Sequence, residues 1–390
     1  MSILSPLALS VPHSGIREIV NLALSAPQGS VARLEIGEPD ARTPEHVVEA
    51  AVRAARGWTG YVQSAGIPQL RELAAERVAR FYGGPAEAER VVIGQGAVQV
   101  LSAVLTATLA PGDEVLIPDP AWPNYLMQAT MVGARPVPYP MRASNGFLPD
   151  PAEIEALVTP RTKVLVVNSP SNPTGAVMAR ELAEELVRVC ASRGVLVVSD
   201  EVYDEIIFDG EHVHLAAIDP DWVVSVFSFS KTYAMTGWRV GYAVLPGWLA
   251  ETVGKLQEPY LSSLPSVTQA AAMAALTGPQ DAVCVNRLRY AARRDAAVAQ
   301  LADAGLAVLP PAGAFYLMLP LSAGVDSRTA ALELVGRGVS TAPGTAFGLE
   351  ARSFLRVSLA SDEETLRCGL DIFLDWHERT NGGVHSIDNN

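Results

Sequence analysis

Short apolar runs separated by stretches of helical periodicity fill the chain between residues 90 and 246. The runs are RVVIG (90–94), DEVLIPDP (113–120), TKVLVVNSP (162–170), GVLVVSDE (194–201), WVVSVFSFS (222–230) and WRVGYAVLP (238–246). Several are apolar at consecutive rather than alternating positions, which predicts a parallel sheet covered on both faces. The segments between them have helical spacing. In GAVQVLSAVLTATLAPGD, Val98, Leu101, Val104, Leu105 and Leu109 share one face, and Pro111-Gly112 ends the helix. Strands alternating with helices predict an α/β fold. After residue 290 the texture changes. NRLRYAARRDAAVAQLADAG (286–305) predicts a long helix whose arginines form a solvated face. LAVLPPAGAFYLMLP, GVSTAPGTAF and FLRVSLA predict short strands of a second, smaller α+β domain, and the closing NGGVHSIDNN reads as a mobile tail.

Composition narrows the function classes. A chain of 390 residues is too long for one simple core, so two domains are expected. Twenty-nine basic against 42 acidic residues give a net charge of −13. That argues against nucleic acid or an anionic membrane as partner, while leaving room for a small anion at a local positive site. The three cysteines are odd in number and far apart, with no CxxC, which points to a reducing compartment. The N-terminus lacks a basic n-region, and no apolar stretch reaches the roughly 18 residues of a membrane span. The expectation is a cytoplasmic protein. His212 and His214 in DGEHVHL have a spacing that a metal could use, but with no third ligand near they read as a solvated loop, and no metal site is expected.

The candidate chemistry sits where the runs end. In open parallel sheets the ligand binds at the carboxyl ends of the strands. Here those ends carry Gly94–Gly96, Pro118–Trp122, Asn168–Thr174, Asp200-Glu201 and Ser228–Lys231. Lys231 is the odd member, because burying an ammonium is unfavourable unless something compensates. Ser228, Ser230, Lys231 and Arg239 lie within twelve residues and suit an anion such as phosphate, with Arg239 offering a bidentate fork. The helix beginning at Gly96 adds backbone N–H groups and a positive dipole end. Asp200 ends another core strand. A lysine among cations in a partly dry site has a lowered pKa and serves as a nucleophilic amine. Lysine, anion site and buried aspartate together match the needs of pyridoxal phosphate: a Schiff-base amine and a carboxylate that keeps the pyridine nitrogen protonated.

The motifs resemble those of the class I/II aminotransferases, a fold-type I pyridoxal-phosphate family, in order from LEIGEPD (34–40) to FLRVSLA (354–360). The resemblance implies a large domain with a mostly parallel seven-stranded sheet between helices, over residues 46–290. It implies a small α+β domain over 291–380, an N-terminal segment (1–45) shared between the small domain and a dimer contact, and a tail over 381–390. SFSKTYAMTGWRVGY implies that Lys231 holds the cofactor aldehyde, that Arg239 and Ser228 bind its phosphate, and that Ser230 is a further hydroxyl there. SDEVYDEI places Asp200 on the pyridine nitrogen and Tyr203 on the phenolic oxygen, which Asn172 of NSPSNPTG shares. PDPAWPNY makes Trp122 an aromatic lid. GYVQSAGIPQLREL implies that Tyr61 reaches the phosphate of a neighbouring subunit in a homodimer. Arg356 is the clamp for the substrate α-carboxylate, and Gly37 contacts that carboxylate through its backbone. At Gly96, Ala97 and Val98 the chain has no hydroxyl or cation, so phosphate binding from that helix is backbone only. Tyr125, Ile16 and Arg17 suit either a pocket wall or the core. No second cation matches a reader of a distal carboxylate, so specificity for acidic substrates stays open.

The implied reaction is transamination between an amino acid and a 2-oxo acid by ping-pong kinetics. The fold also supports β- or γ-elimination, as in carbon–sulfur lyases, and ring closure. A non-catalytic pyridoxal-phosphate-sensing domain is the remaining alternative. Such regulators carry an N-terminal DNA-binding domain, and the acidic balance and the short segment before Gly37 disfavour this alternative.

Overall fold

The computed structural model describes residues 3–84 and 87–382. A seven-stranded sheet runs in the order Val91–Gly94, Gly241–Val244, Val223–Ser228, Leu196–Asp200, Thr162–Asn168, Glu114–Asp119, Arg135–Pro140. All pairs are parallel except those made by Gly241–Val244, which is antiparallel to both neighbours. Alternate residues pack on opposite faces, as the pleat requires. Val164, Val166, Leu196 and Val198 join the core under helices Ala97–Thr108 and Gly247–Leu261. Leu165, Val167 and Val197 join the core under helix Arg180–Ser192. Helices cover both faces, which explains why the sequence shows consecutive rather than alternating apolar positions.

The strand Arg135–Pro140, RPVPYP, escapes the apolar-run reading. It pairs on one side only, and an edge is where a sheet tolerates proline. The expected helix-97 face is present: Leu101, Val104, Leu105 and Leu109 are buried.

The carboxyl-terminal part builds a three-stranded antiparallel sheet, Ala342–Pro343, Phe354–Ser358, Tyr316–Pro320. Helices Asp281–Asp303 and Glu363–Gly382 close its core around Phe315, Leu317, Leu355 and Phe373. The N-terminal chain joins this part. Ala32–Arg33 pairs in parallel with Val339–Ser340, and helix Gly15–Ser25 packs on helix Ser327–Gly336. The predicted solvated arginine face of the long helix needs correction. Arg293 is 4% exposed and makes a bidentate contact with Asp40 at 2.6 and 3.1 Å. Arg294 pairs with Asp209. The segment after Gly37 and the loop before His212 each supply a carboxylate that the helix pattern alone does not reveal. Of the expected tail, residues 383–390 lie outside the described residues. No helix among the described residues is long and apolar enough to cross a membrane.

Candidate active site

A cavity of about 590 Å³ opens between the carboxyl ends of the large sheet and the smaller sheet. Lys231, Asp200, Arg239, Arg356, Trp122, Asn172, Tyr203, Ser228, Ser230, Gly37, Ala97 and Val98 all line it. Adjacent strands bring Asp200 and Lys231 together: Asp200 pairs in register with Val226, and Lys231 lies in the single turn Phe229–Thr232 that follows. Ile16, Arg17 and Tyr125, undecided from sequence, also line the cavity.

Lys231 Nζ donates to the Gly37 carbonyl at 2.6 Å. Burial pulls its pKa down to about 8, with Glu38 opposing and the charges of Arg356 and Arg239 assisting. An amine that is substantially neutral near pH 8 is a usable nucleophile and base. Asp200 is buried, and burial pushes its carboxyl up to about 6 against the hydrogen bond from Tyr125. Tyr125 donates to Asp200 Oδ2 at 2.6 Å and meets Trp122 edge-on, with ring centroids 5.6 Å apart. One tyrosine therefore supports both Asp200 and Trp122. Nothing in PDPAWPNY announces this, because its partner lies 75 residues away.

Beside Arg239, Gly96 caps helix Ala97–Thr108 with φ +77°, and a Cβ there would stand 2.7 Å from Arg239 Nη2. Gly241 is equally constrained: its Cβ would lie 2.6 Å from the Ala97 nitrogen. The two glycines let a helix start, a strand and a guanidinium converge. Arg239 is itself left-handed at φ 53° and anchored by Nη1 to the Thr236 carbonyl at 2.7 Å. Gly96 adjoins this corner without lining the cavity. Tyr61 does not line it either; its side chain is 84% exposed on the same protomer.

Arg356 is 3% exposed. It donates to Asn172 Oδ1 at 3.0 Å and to the Glu35 carbonyl, with its guanidinium carbon 4.3 Å from the Tyr316 ring centroid. Its Nε is buried without a partner. Burial lowers its pKa, and no carboxylate pairs with it among the described residues. Gly37 must be glycine here, since a Cβ would fall 1.8 Å from the Tyr316 hydroxyl. That hydroxyl bonds Tyr203 Oη at 2.8 Å.

His212 and His214 are not a solvated loop. Both imidazoles are buried and bond the carboxylate of Glu201, because Tyr82 and Phe227 roof them over.

Comparison with known proteins shows the family. Residues 30–373 match the family model for aminotransferase class I and II. The chain is 37% identical to an aspartate aminotransferase of Pyrococcus horikoshii over 92% of its length and 93% of the relative's. It is 39% identical to an arginine–pyruvate transaminase of Pseudomonas aeruginosa over 86% of each. The solved structure of Thermus thermophilus aspartate aminotransferase with maleate superposes at a TM-score of 0.92 with 37% identity, covering 96% of this chain and all of that one. With a family match over most of its length and relatives this similar end to end, the chain belongs to the class I and II aminotransferases.

Proposed function

We propose that this aminotransferase uses pyridoxal 5′-phosphate to move an amino group between an amino acid and a 2-oxo acid in two alternating half-reactions. The observation that carries the reading is the convergence of a lowered-pKa lysine, a buried aspartate and a buried arginine without a carboxylate partner in one cavity. The residues fit the cofactor. The corner of the cavity lined by Ala97, Val98, Ser228, Ser230 and Arg239 suits a phosphate, and the orphan Arg356 Nε suits a substrate carboxylate.

When bound, pyridoxal phosphate supplies an electron sink for the charge left at a substrate Cα. The chain supplies the rest. Arg239, Ser228, Ser230 and the N–H groups of Ala97 and Val98 would hold the phosphate. Asp200 would hold a proton at the ring nitrogen, with Tyr125 keeping its carboxylate in place. Tyr203 and Asn172 would donate to the phenolic oxygen, Trp122 would cover the ring, and Lys231 would tie down the aldehyde carbon. Arg356 grips the substrate α-carboxylate, helped by the backbone at Gly37, and so orients the Cα–H bond. The Lys231 amine, with its pKa drawn down by burial, would serve as the base that holds the proton taken from the substrate Cα. Positioned proton transfer of this kind is typically worth about 100- to 10,000-fold.

Tyr61 lies outside its own cavity and is exposed, which supports the reading that it serves the neighbouring subunit of a homodimer. Sedimentation as a monomer at micromolar concentration would remove that part. Three unpaired cysteines fit cytoplasmic residence.

The test is Lys231→Ala. The wild type should bind pyridoxal phosphate, show a visible band that borohydride abolishes, and transfer amino groups only when an acceptor is present. The variant should lose the borohydride-trapped cofactor and about 10,000-fold in turnover. A variant with normal turnover, or pyruvate and ammonia released from a β-substituted amino acid without any acceptor, would refute the proposal.

A further inference from the structure

Behind Asp200 lies a second buried cluster that the proposed reaction does not use. Glu201 is the next residue along, 0% exposed and turned away from the cavity. Four donors meet its carboxylate. His212 Nε2 at 2.8 Å and His214 Nδ1 at 3.0 Å bond one oxygen. Ser225 Oγ at 2.7 Å and the Leu215 N–H at 3.3 Å bond the other. Burial alone would push this carboxyl up, but the charge of His214 and the hydrogen bonds from both imidazoles hold it well below the usual carboxylate range. The remaining ring nitrogens, His212 Nδ1 and His214 Nε2, are buried with no partner.

Packing gives no reason for such a cluster. Well-packed apolar side chains of similar volume are often as stable as a buried ionic group or more so, and each orphan nitrogen adds a desolvation penalty. Its position does give a reason. Asp200 faces Tyr125 from helix Asn124–Met131, Lys231 from the turn Phe229–Thr232, Tyr203 and Glu201 from its own segment, and Tyr316 from the small sheet. Of these, Glu201 is the negative group, and a like charge raises the proton affinity of a carboxylate. On its far side Glu201 is insulated. Tyr82 packs edge-on against His212, with centroids 4.9 Å apart, and donates its hydroxyl to Asp204, which Arg77 pairs together with Glu205.

We infer that Glu201, His212 and His214 form a positioning unit whose net charge, set directly behind Asp200, tunes how tightly Asp200 holds a proton. This rests on the assignment of Asp200 to the ring nitrogen given above. The unit touches neither substrate nor cofactor; it acts through its neighbour.

The experiment is a 13C NMR titration of the Asp200 carboxyl in the full-length, cofactor-free protein, assigned with Asp200→Asn. Glu201→Gln keeps the shape and removes the negative charge, and the midpoint should fall by about half a pH unit. His214→Asn keeps a donor towards Glu201 and removes the ring that offsets its charge, and the midpoint should rise by about as much. A cluster that merely packed the strand would, once disturbed, admit water to Asp200 and lower the midpoint in both variants. Opposite shifts support the inference; shifts in one direction, or none, overturn it. Where His214→Asn does not fold, His212→Gln, whose amide replaces the Nε2 donor, carries the same expectation. Binding of pyridoxal phosphate is measured alongside for the wild type and Asp200→Asn. Equal affinity overturns the assignment of Asp200, and opposite NMR shifts would still support the charge coupling.

Discussion

The molecule buries cations in two ways. Arg77, 8% exposed, sits behind the Lys231 turn with Asp204 at 2.7 Å, Glu205 at 2.9 Å and the Tyr242 hydroxyl at 3.2 Å. Its charge is matched within the protein, and nearby anions more than offset burial to push its pKa up. Arg356, 3% exposed, has neutral acceptors, two aromatic faces and an unpartnered Nε, and burial pushes its pKa down. A buried cation matched by carboxylates is finished as structure. One left without them, on a cavity wall shared with Lys231 and Asp200, fits the proposed role of receiving an anion from outside.

The sharpest way to break this contrast is to remove each guanidinium. Arg77→Met leaves Asp204 buried beside Tyr82 and Thr232 with no counter-charge. Breaking a buried pair from one side costs about 3 to 5 kcal/mol, so chemical denaturation should show a large loss. Activity measured well below the transition should fall less than the stability. Arg356→Met should do the reverse. The loss of charge-assisted hydrogen bonds to the proposed substrate carboxylate should lower kcat/KM by about 100-fold, while stability should fall less than for Arg77→Met, because two neutral acceptors rather than a carboxylate lose their donor. If Arg356→Met unfolded the protein as readily as Arg77→Met, the distinction between finished and waiting cations would fail.

Sequence legibility follows the same division. Six of the seven strands of the large sheet announce themselves because residues buried on both faces must be apolar at consecutive positions. The seventh, Arg135–Pro140, does not, because an edge relaxes that demand and admits three prolines. The reversed direction of Gly241–Val244 is also invisible, since residues 229–240 are spent on the Lys231 and Arg239 turns rather than on a crossover helix. Lys231, Asp200 and Arg356 stand out as charges placed against apolar strands. Tyr125, Arg293 and the Glu201 cluster do not. Tyr125 and Arg293 owe their roles to Asp200 and Asp40, far along the chain, and the Glu201 cluster owes its burial to Tyr82 and Phe227, so neither a helix wheel nor a His-x-His spacing carries that information.

The smallest expected effect tests the waiting cations through pH. Lys231 has a folded-state pKa of about 8 against 10.5 ordinarily. Between these values the unfolded chain binds a proton that the folded chain does not, so folding stability rises with pH across that window. Below pH 8 both states carry the proton, and the full penalty of holding an ammonium in the cavity is present. The cofactor-free wild type, compared with cofactor-free Lys231→Ala by denaturant titration at pH 7.5 and at pH 10, should therefore gain on the variant at the higher pH. The gain should be on the order of 1 kcal/mol, since the site is open to solvent on one side. Arg77, whose pKa moves the other way, contributes nothing in this range, so Arg77→Met should show a pH-independent deficit over the same interval. A flat difference for Lys231→Ala would mean that its ammonium is already compensated in the folded chain, and the contrast between the two kinds of buried cation would then rest on Arg356 alone.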